Sequence, residues 1–211
     1  MELMVKTAVW GILALGVLMV SRRSLSALIL FYALQNLFLT LLAFALAHEE
    51  VHFVLAGLAL FLVKGLLIPW YLLRLLDRLE ISHEVESYLS VTLSLMIGGG
   101  LVFLAFHLGE RFVLPKVVLP EAVPVGIALI LLGMLSILIR KKALSQILGF
   151  LALENGIFVL ALVESHGLPL FVELGIALDA FAAVVLSGLL MRRIKETFGH
   201  VDTSQMHSLK G

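Results

Sequence analysis

A chain of 211 residues with 61% hydrophobic and 14% charged side chains, and a mean hydropathy of +1.11, carries far more apolar surface than one soluble core absorbs, so lipid must cover most of it. A formal net charge of zero, without any stretch that alternates bases with aromatics, implies no polyanion and no nucleic-acid partner. The lack of cysteine excludes disulfides, iron–sulfur clusters and thiolate metal sites within the chain.

The apolar runs are continuous rather than alternating, which predicts helices and not the strands of a membrane barrel. The expected fold is all-α and polytopic, with about seven transmembrane helices. The first, about Leu3–Ser21, lacks a small-residue cleavage site and runs at once into Arg22, Arg23 and another span, so it reads as a retained helix and not a signal peptide. The second, about Leu25–Ala47, carries Gln35 and Asn36. The third, about Val51–Leu73, carries Lys64 and Pro69, whose missing N–H is expected to bend the helix near the lysine. The fourth, about Val85–Leu108, contains Gly98, Gly99 and Gly100. With no strand before them and no Lys-Ser/Thr after, these glycines suit close packing or a kink rather than a phosphate loop. A loop, Gly109–Glu121 with Pro115 and Pro120, leads to helices at about Ala122–Ile139, Ala143–Val163 and Leu168–Met191.

Lys and Arg fall asymmetrically about these spans. Arg22, Arg23, Arg74, Arg78, Arg140, Lys141, Lys142, Arg192, Arg193, Lys195 and Lys210 collect on one side, against Lys6, Arg111 and Lys116 on the other. Because basic loops stay cytoplasmic, the expectation is a multi-pass protein of the cell's inner (cytoplasmic) membrane, N-terminus outside and C-terminus in the cytoplasm.

The sequence also resembles itself. A basic cluster followed by an apolar helix ending Ala33-Leu-Gln35-Asn36 recurs as Ala152-Leu-Glu154-Asn155, and Phe53-Val-Leu-Ala-Gly57 recurs as Phe171-Val-Glu-Leu-Gly175. The expected organisation is a first three-helix unit over 1–80, a linking helix and loop over 81–120, a second three-helix unit over 121–195 and a cytoplasmic tail over 196–211. Equivalent helices are four apart in order, so the units are parallel, unlike the inverted repeats of many transporters.

An ionisable group deep in a span is by default a functional hypothesis. Glu154 lies twelve residues past Lys142, roughly 18 Å deep at 1.5 Å per residue; Asp179 and Lys64, measured from Arg192 and Arg74, lie roughly 20 and 15 Å deep. Two carboxylates and a lysine in one plane suit a proton relay. The alternative is that Lys64 and Asp179 form a buried pair that fixes helix register, with Glu154 bonded to Asn155 or a hydroxyl. Glu173, roughly 9 Å from the outer edge, either lines an access path or reaches headgroup water. Gln35 keeps the hydrogen-bonding groups of Glu154 without its proton, and Asn36 and Asn155 are expected to cross-link helices. His48, His52 and His166, with Glu49, Glu50 and Glu164, read as a solvated outer cluster, because no ligand spacing on a helix supports a metal. His107 reads as interfacial. No catalytic constellation or cofactor site is recognisable.

Two stretches carry a family resemblance: Ala152-Leu-Glu154-Asn155, and Leu170-Phe-Val-Glu173-Leu-Gly175-Ile-Ala-Leu-Asp179 with its tail ending Phe-Gly-His-Val-Asp202-Thr203. Across nearly its whole length the chain resembles component E of hydrogenase-4, a membrane subunit of group 4 energy-converting NiFe hydrogenases of the formate hydrogenlyase type. The last three helices also resemble the K subunit of complex I and its relatives in Mrp-type cation/proton antiporters. That likeness implies mid-membrane acids that take part in proton translocation. Glu154 matches the first acid and the shorter Asp179 stands for the second, whereas the first unit has Gln35 and Phe61 at these places. The resemblance implies a subunit that is no enzyme on its own but part of an oxidoreductase complex, translocating protons or Na⁺ through Glu154, Asp179 and Lys64. It implies antiporter-like membrane neighbours and a peripheral hydrogenase arm, with the NiFe centre and iron–sulfur clusters in those partners and no cofactor in this chain. A structural spacer in such a complex, or a subunit of an Mrp-like antiporter, is the alternative.

Overall fold

A computed structural model describes residues 2–46, 54, 57–58, 60–78, 85–109, 111, 119–164 and 179–189. Their regular elements are all helical: α1 (Glu2–Ser21), α2 (Leu25–Leu46), a π-helix (Phe61–Leu67) running directly into α3 (Ile68–Arg78), α4 (Val91–Gly109), α5 (Ala122–Ile139), α6 (Ala143–Glu164) and α7 (Asp179–Leu189). A backbone in lipid must satisfy its own hydrogen bonds, and these apolar runs do so as helices. Among the described residues, α1, α2, α4, α5 and α6 are long and apolar enough to cross a bilayer. The protein is therefore an all-helical, multi-pass membrane protein.

Boundaries differ from expectation at two places, the end of the third helix and the start of the fourth. The third helix runs on to Arg78, past the expected end at Leu73. Of the expected Leu168–Met191 helix, Asp179–Leu189 lies among the described residues and Glu173 does not. The expected helix from Val85 starts instead at Val91, where Ser90 Oγ accepts the N–H of Leu93 at 3.3 Å and caps the helix. Residues 85–90 form a strap between two basic turns. Val85 N–H donates to the Arg23 carbonyl at 2.7 Å, Tyr88 N–H to that of Ile139 at 2.9 Å, and Lys141 N–H to that of Glu86 at 3.1 Å.

The α5–α6 pair is the tightest seam. A Cβ added at Gly133 would sit 2.6 Å from the backbone nitrogen of Leu153, and one at Gly156 would sit 2.7 Å from the carbonyl oxygen of Gly126. No side chain fits between backbones this close, so glycine is what lets the helices touch. α4 turns Ser94, Gly98, Ala105 and Gly109 inward and leaves Met96 and Phe103 exposed. Of its three consecutive glycines only Gly98 packs against a neighbour, Leu132, while Gly99 and Gly100 face open space.

Two apolar clusters fill the interior. One joins α1, the distal part of α2, α5 and the distal part of α6, through Ile12, Leu39, Leu129 and Phe158. The other joins the proximal parts of α2 and α6 to α3, through Ile29, Leu72, Leu148 and Leu151. Along both α2 and α6 the polar residues fall between the two clusters: Gln35 and Asn36 between Tyr32 and Leu39, and Glu154 and Asn155 between Ala152 and Phe158.

Arg140 locks the basic end. Its guanidinium, 2% exposed, donates to the carbonyls of Arg22 at 2.7 Å, Met19 at 2.8 Å and Val20 at 3.1 Å. These are carbonyls at and beyond the C-terminus of α1, which lack helical donors. Burial, and then the charge of Arg23, lowers the Arg140 pKa to about 10, so it stays protonated at neutral pH. Replacing Arg140 with Ala deletes three charge-assisted bonds at once and is expected to cost about 3 kcal/mol or more. Arg140→Lys, whose compact ammonium cannot span all three carbonyls, is expected to fall between the two. Denaturation midpoints of the purified protein in detergent provide the check, and equal midpoints for all three proteins would refute the lock.

Candidate functional site

A charge within hydrocarbon is tolerated only with a partner. Lys64 and Glu154 supply one another: Lys64 Nζ lies 3.4 Å from Glu154 Oε1, with the lysine fully buried and Glu154 9% exposed.

The lysine stands on the π-helix. Here the N–H groups reach five residues back, as Ile68 N–H does to the Val63 carbonyl. Pro69 has no N–H to give to Gly65 four residues earlier or to Lys64 five residues earlier. The disturbance expected at Pro69 thus takes the form of a widened turn just before it, and a widened turn changes the direction in which its side chains leave the helix axis.

Glu154 lies beside Asn155, which ties three helices together. Asn155 Nδ2 donates to Gln35 Oε1 at 3.0 Å, and Gln35 Nε2 donates to the Ile12 carbonyl at 3.2 Å. Bonds thereby run from α6 through α2 to α1. Asn36 instead turns into its own helix, where Nδ2 donates to the Tyr32 carbonyl at 2.8 Å and the Asn36 carbonyl accepts from Thr40 Oγ1 at 2.9 Å. Of the two asparagines expected to cross-link helices, Asn155 is the one whose bond does so among the described residues.

Asp179, the first described residue of α7, is exposed on the surface of this chain, and its charge bears on Glu154. The lysine therefore pairs with Glu154 and not with Asp179, the partner in the register alternative, and among the described residues Glu154 bonds neither Asn155 nor a hydroxyl. Glu173, His48, His52 and His166 lie outside the described residues. Among the described residues no group of three or more His, Cys, Asp or Glu is gathered as a metal site. His107 Nε2 sits 3.1 Å from Arg111 Nη2 in an exposed pair at the end of α4, away from the ion pair.

Tyr32 is the residue that sequence reasoning missed. It is fully buried, and its hydroxyl has no hydrogen-bond partner among the described residues. The available signal was its place one turn before Asn36, on the same face of an otherwise apolar helix.

Chemically, Glu154 is held through Oε1, whereas its Oε2 has no hydrogen-bond partner among the described residues. Such a carboxylate can exchange a proton on its free oxygen without any backbone rearrangement. The pair is also a strict structural unit, because removing one charge strands the other. Lys64→Met is expected to destabilise the protein by about 3–5 kcal/mol, and Lys64→Met combined with Glu154→Gln to recover most of that loss. Detergent denaturation of both variants measures the coupling, and additive losses would show that the two residues are not energetically paired.

The chain is 31% identical to an uncharacterized protein of Mycobacterium tuberculosis over 213 aligned positions, which cover 99% of this chain and 97% of that one. It is 28% identical to hydrogenase-4 component E of Escherichia coli K12 over 186 positions, covering 86% and 85% of the two chains. The same figures hold for hydrogenase-4 component E of Shigella flexneri. No protein-family model matches the sequence, and no solved structure matches it.

Proposed function

Because the chain belongs to the hydrogenase-4 component E family, we propose that it is a non-catalytic membrane subunit of an energy-converting NiFe hydrogenase or a related respiratory complex, contributing to proton or Na⁺ translocation. The observation that carries this reading is the buried Lys64–Glu154 pair with Asp179 close by. In it, Glu154 takes a proton on its free oxygen, the attraction to Lys64 collapses, and the unbalanced ammonium then acts on the neighbouring carboxylate, Asp179. A charge change arriving from one side of the subunit thereby leaves on the other. Asn155 and Gln35 tie α6, which carries Glu154, to α2 and α1. The redox chemistry belongs to partners: the NiFe centre and iron–sulfur clusters reside in a peripheral arm, since this chain has no cysteine to ligate them. Antiporter-like subunits flank the chain in the inner membrane, with the basic end and the C-terminus facing the cytoplasm.

A spacer role is the second reading, favoured by the way the Lys64–Glu154 pair also fixes the register of its helices. Glu154→Gln separates the two. The relay reading expects the complex to assemble, judged by co-purification of the large hydrogenase subunit. It expects ion pumping in inverted vesicles, per H₂ turned over, to fall at least about tenfold. Normal assembly with undiminished pumping leaves only the spacer.

A further inference from the structure

Helix α7 has two faces. Ala180, Val184 and Gly188, four residues apart, turn into the protein. Ala180 and Val184 join the apolar cluster that also holds Ile68 and Leu72 of α3, and a Cβ added at Gly188 would sit 2.6 Å from Tyr71 Oη and 3.2 Å from Leu75 Cδ2. The opposite face carries Asp179, Ala182, Leu186 and Leu189, all exposed. Steps of three, four and three residues put these four in one narrow stripe along the helix, the spacing at which one helix seats another.

The contact of Gly188 with Tyr71 and Leu75 sets the depth of this stripe. Both helices lead toward basic residues, α3 to Arg74 and Arg78 and α7 to Arg192 and Arg193, so they run the same way. Asp179, nine residues before Gly188, lies about 14 Å further from that basic end; Lys64, seven residues before Tyr71 and eleven before Leu75, lies about 11 to 16 Å further. The carboxylate thus stands on the outside of the protein at the level of the buried ion pair. A carboxylate turned toward hydrocarbon at that depth needs a counter-charge. Among the described residues Asp179 has no ion-pair partner, because Lys64 is taken up by Glu154. A second copy of this chain does not meet the need either. Two α7 stripes related by a two-fold axis along the membrane normal would set one Asp179 beside the other, adding repulsion to desolvation.

We propose that the Asp179–Leu189 stripe of α7 is the docking surface for a transmembrane helix of another membrane subunit, one that places a Lys or Arg opposite Asp179 and apolar side chains opposite Ala182, Leu186 and Leu189. The small Ala182 lets the partner backbone approach, and the two leucines pack beside it. The ion pair fixes the depth of the incoming helix, since a slip of one turn, about 5.4 Å, would part the charges. This rests on the reading that the chain is a subunit of a membrane complex, and it names the chemistry of the neighbour.

The chain has no cysteine, so Ala182→Cys and Leu186→Cys each supply a single thiol on the stripe for a benzophenone photocrosslinker, attached in native membranes. Both are expected to give an adduct with the same membrane subunit, and the peptide captured from Ala182→Cys to carry a Lys or Arg within about two turns of the attachment point. Adducts to lipid alone, to a second copy of this chain or to another part of this chain overturn the proposal, as does a captured helix without a base at that level. Asp179→Lys is expected to lower co-purification of the captured subunit at least about tenfold, and replacing the partner's base with Glu to restore it. Undiminished co-purification of the Asp179→Lys protein overturns the proposal equally. If Asp179→Lys does not accumulate, the two cysteine variants, which keep Asp179, decide. Should the stripe capture only lipid while the chain still co-purifies with the large hydrogenase subunit, the docking surface falls and the subunit reading stands; if no other subunit co-purifies with the wild-type chain, both fall.

Discussion

Lipid offers Lys64 and Glu154 nothing to replace the water they lose, so each is tolerable only because the other is 3.4 Å away. Much of the interior follows from keeping those two atoms together. The lysine comes from the π-helical turn before Pro69 and the glutamate from the middle of α6, and the two belong to helices far apart in the chain. Both must be aligned in depth. The apolar clusters above and below the pair set that depth, because sliding α2 or α6 by one turn would push amides and charge into purely aliphatic surroundings.

Alignment also needs an anchor that does not depend on the pair. It lies at the basic end, where the turn carriers are hydrogen-bonded backbone rather than side-chain packing. The strap of residues 85–90 bonds to the turn after α1 and to the turn after α5, and Arg140 reaches from the second of these turns to the carbonyls of the first. Gln146 Nε2 returns a bond to the Arg140 carbonyl at 2.8 Å, tying the start of α6 to the same knot. Lys141 over the Tyr88 ring, 5.1 Å from its centroid, holds the strap from outside. With the ends of α1, α5 and α6 fixed and the α5–α6 backbones in contact at glycines, the depth of Glu154 is set by twelve residues of straight helix from Lys142.

That dependence on straight helices is why depth was legible in the sequence and partnership was not. Counting from the basic clusters puts Lys64 and Glu154 at similar depth, in keeping with their 3.4 Å contact, and the helical membrane fold follows from hydropathy alone. Which carboxylate the lysine meets depends on rotation about the helix axis, and the π-turn alters that rotation. Hydropathy carries no trace of the i→i+5 pattern; Pro69 was the one hint, and it suggests a kink as readily as a widened turn. The strap was hidden for a related reason. Val85, Tyr88, Leu89 and Val91 read as the start of a span, and the capping serines, Ser87 and Ser90, are too common in membrane helices to mark an end by themselves. Tyr32 sat in an apolar run in which a buried aromatic needs no further explanation.

The similarity between the two halves of the sequence sharpens what the single lysine permits. Where α6 has Glu154, α2 has Gln35, and the amide is used on both sides: Oε1 accepts from Asn155 and Nε2 donates to the Ile12 carbonyl. A carboxylate at that position would keep the first bond and lose the second, since an ionised acid has no proton to donate. It would also add a second buried negative charge to a layer with one ammonium, a Coulomb imbalance that costs several kcal/mol in hydrocarbon. The segment bearing Gln35 instead contributes Tyr32 and Lys64, and the corresponding residues of the other segment are Leu151 and Ala182. Each half thus lacks what the other provides. The two halves build one charged site between them rather than one apiece, and the neutrality of Gln35 is the condition under which a lone lysine balances it.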